Sequence, residues 1–330
     1  MLDTIACGAA FGAALAAAAV HQPYVIVSQL SLANFHMLES FLAAAASSAL
    51  LTAVVQTTGY AAFPPRSFSF LGLLGSSFDG NLLGGLLQGA GMALSGACAG
   101  TVFAQNGAGI RSSFYALGGA MVGGIIWTGF LRPALQHRRK PLPTTQKLTV
   151  DRQLGLGRTS TLLLLETVFV AVIGVAASST TTQTQGPVHP ITGGLLIGLA
   201  QLFSILLRKT MLGTSSAFEE FGDSIWWLVG GAPRATRPAY KNMLFAVSLA
   251  LGSYLVSLRF STLTATKSGV DASNPARVAL GGALIAVGSR MAGGCTSGHG
   301  ISGISLMSVS SFVTVAAMFA GGIGVTFALG

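Results

Sequence analysis

Apolar residues in this chain come in long blocks separated by short polar interruptions. Runs rich in Ala, Leu, Val, Ile and Gly predict helices near 5–21, 35–58, 80–97, 112–131, 160–178, 191–207, 224–232, 242–260, 277–293 and 305–329. A helix that crosses a bilayer needs roughly 20 residues. Several blocks are shorter than this or are interrupted by Gly, so some are expected to enter the membrane and turn back. Non-helical backbone at membrane depth is tolerated only inside protein or beside a water-filled cavity. The pattern predicts an all-α polytopic membrane protein with about nine transmembrane helices plus short re-entrant helices.

Composition agrees with the pattern. Of 330 residues, 51% are hydrophobic and only 8% are charged, where a soluble domain carries about 25% charged residues. So few charges cannot cover the surface of a soluble fold of this size. The 44 glycines suit helices that approach one another closely inside a membrane. The net charge of +9 is concentrated: seven of the 18 Lys and Arg lie between Arg132 and Arg158. Basic loops are retained on the cytoplasmic side, and a second one at 233–241 is expected to share it. Nucleic-acid binding is excluded, since it would need a folded basic domain with interleaved aromatics. Asp3, with no basic cluster before the first apolar run, marks that run as a retained helix rather than a cleaved leader.

The basic connection divides the chain into comparable parts: a first helical repeat at 1–131, a cytoplasmic linker at 132–159 and a second repeat at 160–330, together one integral membrane domain. Gly8 and Gly12 near the start match Gly194 and Gly198 after the linker. The glycine-rich ends of the two parts, at 118–124 and 320–324, are also alike. Repeats of this kind are common in transporters, with the substrate site at the repeat interface.

The candidate chemistry falls at the same division. Cys98 lies in Gly-Met-Ala-Leu-Ser-Gly-Ala-Cys-Ala-Gly (91–100), and Cys295 in Gly-Ser-Arg-Met-Ala-Gly-Gly-Cys-Thr-Ser-Gly-His-Gly (288–300). With Cys98 placed on Cys295, Gly91 falls on Gly288 and Gly96 on Gly293. Gly96, Gly293, Gly294 and Gly298 let the backbone turn beside each thiol. Amides freed at a helix end attract anions, and a neutral thiol adds a weak S–H donor and a soft surface. The pair suits a small anion with a soft sulfur end. Thr296, Ser297, Ser95 and Thr101 supply hydroxyl donors, and Gln105 and Asn106 extend the first polar turn. An intramembrane Arg is costly, so Arg290 is expected either to draw an anion toward the pore, or to snorkel or bond helix carbonyls. His299 is expected to orient the loop. Cys7, which has no glycine-rich twin, reads as a packed thiol before it reads as a pathway residue. Glu39 and Glu166 are expected to serve helix starts. Glu219, Glu220 and Asp223 are expected in an interfacial loop anchored by Trp226 and Trp227. Three widely spaced cysteines with no C-x-x-C pair give no zinc site or disulfide framework, and no metal or cofactor is expected.

From Arg290 through Gly303 the chain resembles the YeeE/YedE family of sulfur-transport membrane proteins, and the turn at Gly96-Ala97-Cys98 is similar to that family's corresponding motif in the first part. The resemblance implies an hourglass with short helices meeting at a central constriction. It also implies thiosulfate uptake, with cysteines passing the ion along through S–H···S hydrogen bonds. It further implies an association with a rhodanese-like or other small cytoplasmic sulfur-carrier protein. One departure stands out. Where family members often carry a third cysteine after the first helix, this chain reads Val20-His21-Gln22-Pro23-Tyr24, leaving a two-cysteine core.

The expectation is therefore a transporter, not an enzyme, in the plasma membrane, taking up thiosulfate or a related sulfur anion. Two other readings fit the same thiols. A membrane-embedded thiol-dependent sulfurtransferase would recruit Arg290 or His299 to lower a thiol pKa. A passive anion channel would use the thiols structurally.

Overall fold

The computed structural model describes residues 1–136, 147–179, 186–230, 238–260 and 274–329. Residues 137–146 of the expected basic linker and 233–237 of the second basic loop lie outside them. Helices α1 (Leu2–Ala17), α2 (Pro23–Leu30), α3 (His36–Thr57), α4 (Asp79–Ser95), α5 (Thr101–Gly107) and α6 (Arg111–Ile126) precede the linker. A π turn, Trp127–Leu131, carries α6 into α7 (Arg132–Gln136). The first residues of the expected linker are therefore helical. Then follow α8 (Val150–Leu154), α9 (Arg158–Ser179), α10 (Pro190–Arg208), α11 (Ser216–Val229), α12 (Lys241–Arg259), α13 (Pro275–Ala292), a second π turn at Ser297–Gly303, and α14 (Val309–Leu329). Among the described residues, β pairing is limited to one isolated bridge, Thr149 to Ser308.

The chain is an all-α polytopic membrane protein. Six elements are long and apolar enough to cross a bilayer, namely 36–57, 111–136, 158–179, 190–208, 241–259 and 309–329. A seventh is α13 with the π turn after it, bent by 43°. The nine crossings expected from the sequence are reached only by counting α1 and α4, of 16 and 17 residues. Of the block at 224–232, residues 224–229 are the end of a 14-residue helix that carries Glu219, Glu220 and Asp223 ahead of them.

Glycine sets how these helices pack, because removing a side chain lets two backbones meet. A Cβ on Gly84 would lie 2.5 Å from the Gly288 carbonyl, and one on Gly91 would lie 2.5 Å from the Gly281 carbonyl. Helices α4 and α13 therefore run antiparallel in direct backbone contact at the centre of the molecule. The shift that places Cys98 on Cys295 also places Gly84 on Gly281 and Gly91 on Gly288. The contact is thus self-complementary, as across a two-fold axis. Other contacts recur in pairs. Gly8 and Gly12 seat α1 against Phe245 and Leu249 of α12, while Gly194 and Gly198 seat α10 against Ser40 and Ser47 of α3. Gly119 and Gly123 of α6 meet Ala279 and Ala283 of α13, as Gly85 and Gly89 of α4 meet Ala317 and Met318 of α14. Helix α9 packs chiefly on α3 and leaves most of its surface outward.

Candidate functional site

Both cysteines follow a helix end set by a left-handed glycine. Helix α4 stops at Gly96, with φ 60°, and α13 stops at Gly293, with φ 81°. A Cβ is disfavoured at such φ, so glycine is what lets each helix end in a turn there. Both thiols end up inside the protein: Cys98 is 6% exposed and Cys295 is 0% exposed.

The Cys295 thiol is held by two hydroxyls and the Cys98 thiol by a backbone amide. The Cys295 Sγ lies 3.3 Å from Ser297 Oγ and 3.5 Å from Thr214 Oγ1. The Cys98 amide donates to Thr101 Oγ1 at 2.7 Å, and the Thr101 amide donates to Cys98 Sγ at 3.4 Å. The two turns meet: a Cβ on Gly100 would be 3.5 Å from Thr214 Oγ1 and 4.0 Å from Ser297 Oγ. Between them lies a cavity of about 50 Å³, bounded by Cys98, Gly100, Thr101, Thr296 and Ser297 on one side and by apolar residues such as Phe11 and Phe41 on the other. That is room for a few water-sized groups. Thr296 is fixed by Gln88, whose side-chain amide donates to its hydroxyl at 3.0 Å.

A second, larger and more polar space, a vestibule of about 470 Å³, is bounded by Arg66, Ser67, Ser69, Arg132, Gln136, Glu219, Arg290, Gly293 and His299, with Phe68, Phe70 and Trp127. Arg132 makes a two-pronged bond to Asp223, at 2.7 and 3.2 Å, and a third bond to Glu219 at 2.7 Å. Arg290 pairs with the other Glu219 oxygen. Arg66 has no carboxylate partner among the described residues. A Cβ placed on Gly298 would stand 3.6 Å from Arg66 Nη2 and 3.7 Å from Cys295 Sγ.

The structure gathers Cys98, Thr296 and Ser297 around one small space, with the Cys295 thiol bonded to Ser297, and puts Arg290, Gly293 and His299 on the vestibule wall. Gly298 lies beside Cys295 and Arg66. The His299 ring nitrogens are both engaged, with Ser311 Oγ at 2.9 Å and the Ala292 carbonyl at 3.1 Å, and the ring lies against Gly294. It braces the turn after α13, as the sequence predicts. Cys7 is off both spaces, with its thiol 3.8 Å from the Phe203 carbonyl of α10. Gln105 reaches back to the Gly96 and His21 carbonyls at 2.7 Å each.

Several carboxylates sit elsewhere than the sequence predicts. Glu219, Glu220 and Asp223 lie on helix α11, not in a loop. Glu220 caps α12 through the Asn242 and Met243 amides, at 2.9 Å each. Glu166 lies in the middle of α9, not at its start. Arg66, Thr214 and Gln88 were missed. Nothing local marks them, because their partners are about 80 to over 230 residues away.

Small-residue helices packed around two glycine turns, with enclosed polar space beside them, are the architecture of a multi-pass membrane transporter. The chain belongs to the sulphur transport family, whose sequence profile matches residues 18–324. It is 33% identical over 142 residues to a probable transporter of Xylella fastidiosa (strain Temecula1 / ATCC 700964), covering 43% of this chain and 94% of that protein. It is 26% identical over 251 residues to a thiosulfate transporter, TsuA, of Spirochaeta thermophila, covering 71% of this chain and 72% of that one. The family and these relatives are transporters rather than enzymes. Sulfur transport is the function of this chain, and the sulfurtransferase reading falls away.

Proposed function

We propose that this protein takes up thiosulfate, or a closely related sulfur anion, across the plasma membrane by a path that passes Cys98 and Cys295. The observation that carries the reading is that Cys98 borders a small internal cavity with Thr296 and Ser297, while the Cys295 thiol, bonded to Ser297, lies close to Arg66 of a cationic vestibule. The terminal sulfur of thiosulfate is soft and accepts S–H and O–H donors weakly. Conduction needs binding favourable enough to enter and weak enough to leave, and thiols meet that condition better than fixed cations would. Gly96, Gly293, Gly294 and Gly298 shape the turns, Thr296 and Ser297 supply hydroxyls, His299 braces the second turn, and Arg290 lines the vestibule. Cys7, engaged with α10, stays outside the path. TsuA, named as a thiosulfate transporter, supports this choice of substrate.

Two inverted repeats, 1–131 and 160–330, account for the architecture. The antiparallel, self-complementary contact of α4 with α13 supports this, as do the paired contacts around it. So does the Xylella relative, which is about half as long as this chain. The vestibule lies beside Gln136, where the basic linker begins. The tendency of basic loops to stay inside makes it the cytoplasmic mouth, where a small sulfur-carrier protein would receive the anion.

The test is uptake of radiolabelled thiosulfate into proteoliposomes. Cys295→Ala and Cys98→Ala are each expected to lower uptake at least tenfold at normal expression, while Cys7→Ala stays within about twofold of wild type. Wild-type uptake by both of the first two variants would sink the cysteine path.

A further inference from the structure

The vestibule presents three arginines, and two of them are already neutralised. Arg132 is bound by Asp223 and Glu219, and Arg290 is bound by Glu219. An anion entering this space cannot take either without displacing a carboxylate that is itself fixed on α11. Glu219 also repels an anion from that wall. Arg66 is different. It comes from the connection between α3 and α4, has no carboxylate partner among the described residues, and lies across Gly298 from the Cys295 thiol. Its backbone is fixed independently of its side chain. The Arg66 amide donates to Ser308 Oγ at 2.9 Å, and Ser310 Oγ donates to the Arg66 carbonyl at 3.0 Å. The side chain passes Gly303, where a Cβ would come within 3.3 Å of Arg66 Cγ. The absence of side chains at Gly298 and Gly303 leaves the Arg66 side chain lying along the π turn, with its guanidinium beside Gly298.

Resting on the transport reading above, we infer that Arg66 forms an oxyanion-binding site at the Cys295 end of the vestibule. Its ligand is a divalent tetrahedral anion held by its oxygens, with its fourth substituent turned toward the thiol. A planar guanidinium gripping two oxygens of such an anion fixes its orientation as well as its charge. For thiosulfate, that orientation leaves the terminal sulfur facing Cys295. A fixed cation also lowers the electrostatic cost of holding a dianion inside the protein. The site discriminates by charge and by oxygen geometry, which the soft thiols cannot do. Sulfate is accepted at the guanidinium but has no soft sulfur to hand on to the thiol.

The experiment is equilibrium binding of radiolabelled thiosulfate to the detergent-purified full chain, with uptake into proteoliposomes measured in parallel. Arg66→Gln is expected to raise the Kd at least tenfold and to abolish competition by sulfate. Arg66→Lys, which keeps the charge and loses the fork, is expected to fall between wild type and Arg66→Gln. A purely structural role would lower the thermal midpoint without changing the Kd of the folded fraction. If Arg66→Gln does not yield folded protein, Arg66→Lys decides: an unchanged Kd and unchanged sulfate competition overturn the site. Wild-type binding by Arg66→Gln, with uptake abolished in Cys295→Ala, refutes this inference and leaves the cysteine path standing. Weakened binding in Arg66→Gln, with uptake intact in both cysteine variants, does the reverse.

Discussion

Gln88, in the middle of α4, donates its side-chain amide to the Thr296 hydroxyl at 3.0 Å. This bond ties the first half of the chain to the residue after Cys295. Both side chains are buried. The shift that matches the two cysteines places Ile285 opposite Gln88 and Ala99 opposite Thr296, so the two-fold pattern has no second copy of the bond. The two thiol turns are held differently, one by a long-range amide and the other by its own Thr101.

Replacing Gln88 by Leu would leave the Thr296 hydroxyl without its donor at the edge of the cavity. An unsatisfied buried polar group costs about 1–3 kcal/mol. Gln88→Leu is expected to lower the thermal midpoint by several degrees and to reduce thiosulfate uptake more than expression. Uptake equal to wild type would show that the position of Thr296 does not matter to the path.

The glycine contacts predict a sharp contrast between positions of equal composition. A Cβ on Gly84 would press on the Gly288 carbonyl and the Ala292 side chain, and neither can move without shifting α13. Gly84→Val is therefore expected to prevent recovery of monodisperse protein on size-exclusion chromatography, because overpacking here acts on backbone rather than on a rotamer. Gly118→Ala and Gly174→Ala, where nothing lies within 4 Å of the new methyl, are expected to elute as wild type. A monodisperse Gly84→Val protein would mean that α4 and α13 are not in backbone contact.

Glu219 is shared by two arginines, Arg132 and Arg290. Glu219→Gln would leave Arg290 without a carboxylate and Arg132 with Asp223 alone, making the vestibule more positive. Removing one partner of a partly buried ion pair is destabilising, here by less than the 3–5 kcal/mol seen for fully buried pairs, because the vestibule admits water. The expected outcome is a lower thermal midpoint together with tighter thiosulfate binding. The gain in affinity should be largest at low ionic strength, where screening is weakest. Binding that is unchanged at both low and high salt would show that the anion never meets this charge.

Much of this molecule was legible in the residue order. The apolar blocks located most of the helices, because a bilayer demands length and continuity that composition alone reveals. The glycine twins around Cys98 and Cys295 were legible for a similar reason, since each marks a helix end that only glycine accommodates. The same signal failed at 224–232, where an apolar stretch beside Trp226 and Trp227 proved to be the end of a short helix with its carboxylates committed to ion pairs and a cap. Charge alone could not distinguish an exposed acidic loop from Glu219, Glu220 and Asp223 held on one helix.

The sequence by itself determined the all-helical membrane architecture and the two thiol turns. Both follow from local hydrophobicity and backbone freedom. Only the tertiary structure decided that Thr214 and Ser297 flank Cys295, that Gln88 fixes Thr296, and that Glu219 neutralises Arg290 while Arg66 has no carboxylate partner among the described residues. Those relationships arise because packed helices bring together side chains from distant parts of the chain, and no property of a single segment encodes which partner it will meet.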